Sequence, residues 1–129
     1  MGLTNLRGIR LEAPYFMDFL TPPASIQALH VYFPDPWPKR KHRKHRLINA
    51  RFTDIAAKAL APGGVVYART DDADYFAQIV SVFGANPSFR AVDTPEELSV
   101  VLTDFEREFR SRGVTTLRAA FCLQSLGRK

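Results

Sequence analysis

The chain has 129 residues, 46% of them apolar and 24% charged, with a net charge of +5 and a single cysteine, the make-up of one globular domain with its own core. That excludes disorder as a description of the whole, no apolar run approaches the roughly 20 residues that cross a bilayer, and Met1 to Leu20 lacks a signal-peptide core, so a cytoplasmic location is expected. Cys122 alone forms neither an internal disulfide nor a Cys-rich metal site, which fits a reducing compartment.

In chain order, Leu6 to Leu11 and Ile26 to Phe33 read as short apolar strands, parted by the breaker Thr21-Pro22-Pro23. Next come Pro34-Asp35-Pro36-Trp37-Pro38 and the run Lys39-Arg40-Lys41-His42-Arg43-Lys44-His45-Arg46. That run holds six of the Lys and Arg residues, and without it the chain has 12 basic against 13 acidic residues. The positive excess is therefore one local anion-binding device, and the rest of the chain is near neutral. Ile48, Phe52, Ile55 and Ala59 fall at helical spacing, and Ala61-Pro62-Gly63-Gly64 closes that helix. Val65 to Ala68 is a buried strand, and Thr70-Asp71-Asp72 offers N-cap oxygens to a helix with Tyr75, Phe76, Ile79, Val80 and Phe83 on one face. Phe89 to Val92 and Leu117 to Leu123 are further strands; between them lie two capping-box patterns, Thr94-Pro95-Glu96-Glu97 and Thr103-Asp104-Phe105-Glu106. The alternation predicts one α/β domain over residues 1–129 with a mainly parallel sheet, in which ligands bind at the C-terminal ends of strands. Phe33-Pro34-Asp35 and Thr70-Asp71 are placed there.

Asp35 sits between two prolines, each of which fixes its own φ and restricts the residue before it. Two readings carry similar weight: a carboxylate presented by a stiff loop, or the cap of the next helix. Trp37 is either a stacking surface for a base or part of the core, the commoner outcome for a lone tryptophan. The basic run can neutralise several phosphates; the bland alternatives are a solvated helix start or a targeting signal. Six cations at a helix N-terminus oppose the macrodipole there, which favours an anion to bind. His42 and His45 lack the companions of a metal site and belong to a nucleic-acid face or to solvent. Asp71 and Asp72 can be plain N-caps, and Thr103 with Glu106 a plain capping box. Taken together, Asp35, Asp71 and Glu106 make a carboxylate-rich site near a basic strip, suited to a substrate with phosphates to hold and a nucleobase to orient.

The order of these motifs resembles the bacterial tRNA (guanine-N7)-methyltransferases: Phe-Pro-Asp-Pro-Trp-Pro-Lys, a Lys/Arg/His run, a helix ending in Leu-Ala-Pro-Gly-Gly, Thr-Asp before an aromatic helix, then Thr-x-Phe-Glu. The resemblance covers about Asn5 to Phe121 and is most specific over Phe33 to Lys39. It implies a Rossmann-like class I methyltransferase fold, S-adenosylmethionine as methyl donor without a metal, and a guanine in the variable loop of tRNA as substrate. It also implies that Asp35 is the catalytic acidic residue, a carboxylate bordering the methyl donor, and that Glu12, standing where the family has Asp, contacts the cofactor. Lys39, Asp71, Thr103, Asp104, Phe105 and Glu106 match substrate-binding positions, with Asp104 where a basic residue is usual. The run from Phe109 to Ala120 keeps little of the family's Gly-His pattern. The chain has no G-x-G and looks like the C-terminal part of such an enzyme, either shortened or begun at an internal start. Sheet edges left open by that loss argue for self-association or an accompanying N-terminal piece. The competing expectation is a non-catalytic RNA-binding or structural fragment that needs that piece or a partner.

Overall fold

The computed structural model describes residues 13–94 and 116–124; the expected strand Leu6 to Leu11 and the boxes at 94–97 and 103–106 lie wholly or partly outside them. A short helix α1 (Ala13–Tyr15) runs into a π-helical turn (Phe16–Leu20), followed by strand β1 (Ile26–Tyr32). After a loop and a 3₁₀ helix (Arg40–His45) come α2 (Ala50–Ala59), β2 (Leu60–Thr70), α3 (Ala73–Gly84), β3 (Phe89–Val92) and β4 (Leu117–Leu123).

The four strands form one sheet in the order β1-β2-β4-β3. β1 and β2 are parallel, and β4 is antiparallel to both β2 and β3. Three strands point one way and β4 alone is reversed, so two of the three neighbouring pairs are antiparallel and the expected mainly parallel sheet is corrected to a mixed one. Pairing is mixed, because the reversed strand is inserted between β2 and β3.

The helices bury their apolar stripes against one face of the sheet. Asn49 caps α2 by accepting from the Phe52 N–H at 2.9 Å, and Phe52, Ile55 and Ala59 are buried together with Ile48 just ahead of the cap. At its other end the carbonyls of Lys58 and Ala59 accept from the N–H groups of Ala24 and Ser25, both at 2.9 Å, which satisfies helix-end acceptors that would otherwise be orphaned. α3 buries Tyr75, Ile79 and Phe83, while Phe76 is half-buried and Val80 is 44% exposed. Its apolar face is thus a narrow i, i+4, i+8 stripe, smaller than the pattern of five residues suggested. Phe83 stacks on Phe121 at 4.4 Å between ring centres and meets Phe89 edge-on at 4.9 Å, contacts that add about 0.5–1.5 kcal/mol each beyond area burial.

Two local expectations are corrected. The basic run does not begin α2: it forms its own 3₁₀ helix, with His42, Arg43, Lys44 and His45 in its last turn. The negative end of a helix favours cations, so the predicted conflict with the α2 macrodipole does not arise. The segment Ala61-Pro62-Gly63-Gly64 lies inside β2 and is not merely the stop of α2. The register passes from Ile26↔Leu60 directly to Ala28↔Val65, leaving these residues bulged, with Gly63 at φ 81°.

Candidate active site at the strand ends

β1 and β2 end in step. Tyr32 pairs with Arg69, and the Phe33 N–H donates to the Arg69 carbonyl at 2.8 Å. Asp35 follows β1 and Asp71 follows β2, so parallel pairing brings both carboxylates to the C-terminal edge of adjacent strands. Lys39, exposed, follows on the same loop. These are the sequence-predicted residues that the fold brings together; Glu12, Thr103, Asp104, Phe105 and Glu106 lie outside the described residues.

The loop that carries Asp35 is strained at both ends. Phe33 has φ 55° and Trp37 φ 42°, a left-handed region that bulky residues avoid at a cost of about 1–3 kcal/mol each. Asp35 Oδ1 accepts from the Trp37 N–H at 3.0 Å, an Asx turn that reinforces the bend. Asp35 is exposed, and no hydrogen bond among the described residues occupies its other oxygen. Of the two readings of Asp35, the helix cap is excluded: Lys39 is the N-cap of the 3₁₀ helix and makes no side-chain capping bond.

The loop is tied down by Arg46. Its side chain is 2% exposed, although it ends a run whose Lys39, Arg40, Lys41, Arg43 and Lys44 are all exposed. Nε donates to the Pro36 carbonyl at 2.6 Å, Nη1 to Gln78 Oε1 at 2.8 Å and Nη2 to Asp74 Oδ2 at 2.8 Å. The guanidinium carbon lies 5.0 Å from the Tyr75 ring centre, within cation–π range. The Tyr75 hydroxyl accepts from the Ile48 N–H at 2.8 Å, and Gln78 Nε2 donates to the Ile48 carbonyl at 2.8 Å. The hydrogen bond from Arg46 holds the Asp74 carboxyl below its ordinary value, with the charges of Arg43 and Arg46 acting in the same direction. Burial pushes the Tyr75 phenol up, and the Asp35 carboxylate adds to the rise. Sequence reasoning counted Arg46 among the phosphate-binding cations, a role its burial excludes. The available signals were the apolar Leu47-Ile48 directly after it and the polar Asp74 and Gln78 one turn apart on a mostly apolar helix.

Trp37 is half-buried, its ring 4.9 Å from His45 and 5.8 Å from His42 between centres. The two histidines cover the tryptophan, and among the described residues no group of three or more His, Cys, Asp and Glu could hold a metal ion. On the β2 side, Asp72 caps α3 by accepting from the Tyr75 N–H at 2.7 Å, and its own N–H donates to Thr70 Oγ1 at 3.1 Å. Asp72 is therefore the cap, and exposed Asp71 has no hydrogen-bond partner among the described residues. An open cavity of about 470 Å³ beside the 3₁₀ helix is lined by Ala13, Pro14, Lys44, His45, Asn49 and Arg51 among others; Asp35 does not line it. No helix among the described residues is long and apolar enough to cross a membrane.

An α/β sheet with one reversed inner strand and a carboxylate at the end of a parallel strand is consistent with a class I S-adenosylmethionine-dependent methyltransferase. Residues 1–119 match the family described as "Putative methyltransferase", and the chain belongs to that family. Among curated proteins it is similar to a tRNA (guanine-N(7)-)-methyltransferase of Nitrosospira multiformis, 44% identical over 87 residues, covering 67% of this chain and 38% of that protein. Proteins of the same name from Treponema pallidum subsp. pallidum and Mycobacterium sp. (strain KMS) are 38% and 36% identical over 111 residues, covering 86% and 83% of this chain. The chain spans about two fifths of the length of these relatives.

Proposed function

We propose that this chain carries the substrate side of a cytoplasmic tRNA (guanine-N7)-methyltransferase, which moves a methyl group from S-adenosylmethionine to N7 of a guanine in the variable loop of tRNA. One observation carries the reading: Asp35 stands at the end of a parallel strand on a strained loop, with one carboxylate oxygen that no hydrogen bond among the described residues occupies and five exposed Lys and Arg residues downstream. The names of the relatives support the choice of substrate.

When bound, S-adenosylmethionine supplies a methyl group on a sulfonium cation. The second carboxylate oxygen of Asp35 suits that charge, and Glu12 is the second residue assigned to hold the donor. Guanine N7 already has an in-plane lone pair, so no base must first remove a proton, and the protein's task is to orient the purine and stabilise charge. A carboxylate about 4 Å from the purine as it becomes cationic is worth about 4 kcal/mol at an effective dielectric near 20, part of it already present while the charge is on sulfur. Asp71 and Glu106 accept from the N–H donors on the base edge, Thr103, Asp104 and Phe105 complete that side, and Lys39 with its exposed neighbours holds phosphates.

The test is to incubate the protein with unmodified tRNA and S-adenosylmethionine and to search digested tRNA for 7-methylguanosine by mass spectrometry. Its appearance at one variable-loop guanine is expected, from this chain by itself or with a cofactor-binding piece supplied. tRNA binding without any methyl transfer in either case would overturn the enzymatic reading in favour of an RNA-binding fragment.

A further inference from the structure

We propose that Arg46 is a positioning residue that locks the loop of residues 34–38, and with it Asp35, onto the start of α3. The inference rests on the reading above, in which Asp35 is the carboxylate at the reacting centre.

Burying a guanidinium costs several kcal/mol unless its donors are satisfied. Here Nε, Nη1 and Nη2 each find a separate acceptor, on the loop, on Gln78 and on Asp74. The bond to the loop is the shortest of the three at 2.6 Å, and all three are charge-assisted because the guanidinium donates them. It reaches Pro36, the neighbour of Asp35, in the middle of a segment whose two ends hold positive φ. Such strain persists only where surrounding contacts over-determine it, and the Arg46 bond is a contact of that kind.

The two α3 acceptors lie four residues apart on one helix face, and that helix begins two residues after Asp71, with Asp72 between them as its N-cap. Arg46 therefore couples the loop that carries Asp35 to the helix whose N-cap, Asp72, directly follows Asp71, fixing one carboxylate relative to the other. Its own place is fixed in turn, because Tyr75 and Gln78 bond the Ile48 backbone two residues further on. Arg43 approaches the same Asp74 oxygen at 3.5 Å but is itself 43% exposed, so it adds charge without reaching the loop.

A role confined to general stability is separable from positioning, because Trp37 is the single tryptophan of the chain and sits in this loop. Arg46→Lys keeps the positive charge, but an ammonium group does not reproduce the planar fork that meets three acceptors. Asp74→Asn alters a residue 55% exposed and serves as the second variant if Arg46→Lys does not fold. In folded protein, judged by unchanged far-ultraviolet circular dichroism well below melting, both variants should shift Trp37 emission to the red and raise its quenching by acrylamide. Arg46→Lys should also lower kcat for methyl transfer by about 10–100-fold, the size of a misplaced reacting group, with KM for tRNA nearly unchanged because the exposed cations are untouched. Unaltered Trp37 emission and quenching in the folded variants would overturn the proposal, as would an altered loop with normal kcat. If the unsubstituted chain transfers no methyl group, with or without a cofactor-binding piece supplied, the functional reading fails by itself, and the tryptophan measurements alone decide whether Arg46 holds the loop.

Discussion

Asp35 and Asp74 are both carboxylates that accept bonds within this small region, yet they do different work. Asp35 spends one oxygen on the Trp37 N–H, a bond that the amide oxygen of an asparagine also accepts. Asp35→Asn should therefore keep the loop and the melting temperature while turnover falls by about 10²-fold or more, the loss expected when a preorganised electrostatic group is removed. Single-turnover methylation together with thermal melting checks this; lowered stability with retained chemistry would make Asp35 a loop-builder only. Asp74 is held below its ordinary value of 3.8 by the Arg46 bond. A depressed carboxyl contributes its stability above the unfolded value and loses it as pH falls through the folded one. A change in Trp37 emission is thus expected as pH falls below about 4; no change there would mean that the charge of Asp74 does not help to hold the loop. Asp35, Lys39 and Asp71 were legible in the sequence because prolines and strand ends mark them. Arg46 was not, since a basic residue in a basic run looks like its neighbours until a helix 28 to 32 residues later buries it.

Among the elements, β3 and β4 begin and end where the apolar runs do, whereas β2 extends well before the Val65 to Ala68 run. The reason is the bulge: Ala61-Pro62-Gly63-Gly64 reads as turn chemistry, and turn chemistry inside a strand is what a bulge needs. Gly64 shows how tightly it is built. A Cβ there would stand 2.9 Å from the carbonyl oxygens of both Ala61 and Ile26 and 3.0 Å from Leu60 Cδ2. Two of these atoms are backbone, so the clash is relieved only by moving β1 away at Ile26 and reshaping the bulge itself at Ala61. Gly64→Ala is expected to destabilise the fold by about 1–3 kcal/mol, the usual cost of overpacking. The measurement is the urea midpoint, which should fall with an unchanged slope; an unshifted midpoint would mean that the β1–β2 junction yields more readily than its contacts imply. The same reasoning explains the 3₁₀ helix, whose existence the charge run hid because like-charged residues carry no apolar periodicity to read.

At the scale of the whole molecule, the α/β class followed from the alternation of strands and helices, but the order β1-β2-β4-β3 did not. The position of β4 between β2 and β3 is a matter of pairing between segments far apart in the chain, which local patterns do not encode. The charge distribution was readable from sequence alone and the structure sharpens it: of the six Lys and Arg in the run, five are exposed on and beside one short helix, and Arg46 is withdrawn into the fold. Counterion release ties the salt dependence of nucleic-acid binding to the number of phosphates neutralised, with a log–log slope of about 0.7–0.9 per contact. Arg40→Gln combined with Lys41→Gln, both exposed, should therefore flatten the slope of log affinity against log salt by about one to two. Binding should weaken alike for all tRNAs, because phosphates carry no sequence information. Arg46→Lys keeps its charge and faces Asp74, not solvent, so it should leave the slope as it was. Filter binding or fluorescence anisotropy at several salt concentrations separates these outcomes: an unchanged slope in the double variant would remove the 3₁₀ helix from the tRNA surface, and a flattened slope in Arg46→Lys would return Arg46 to it.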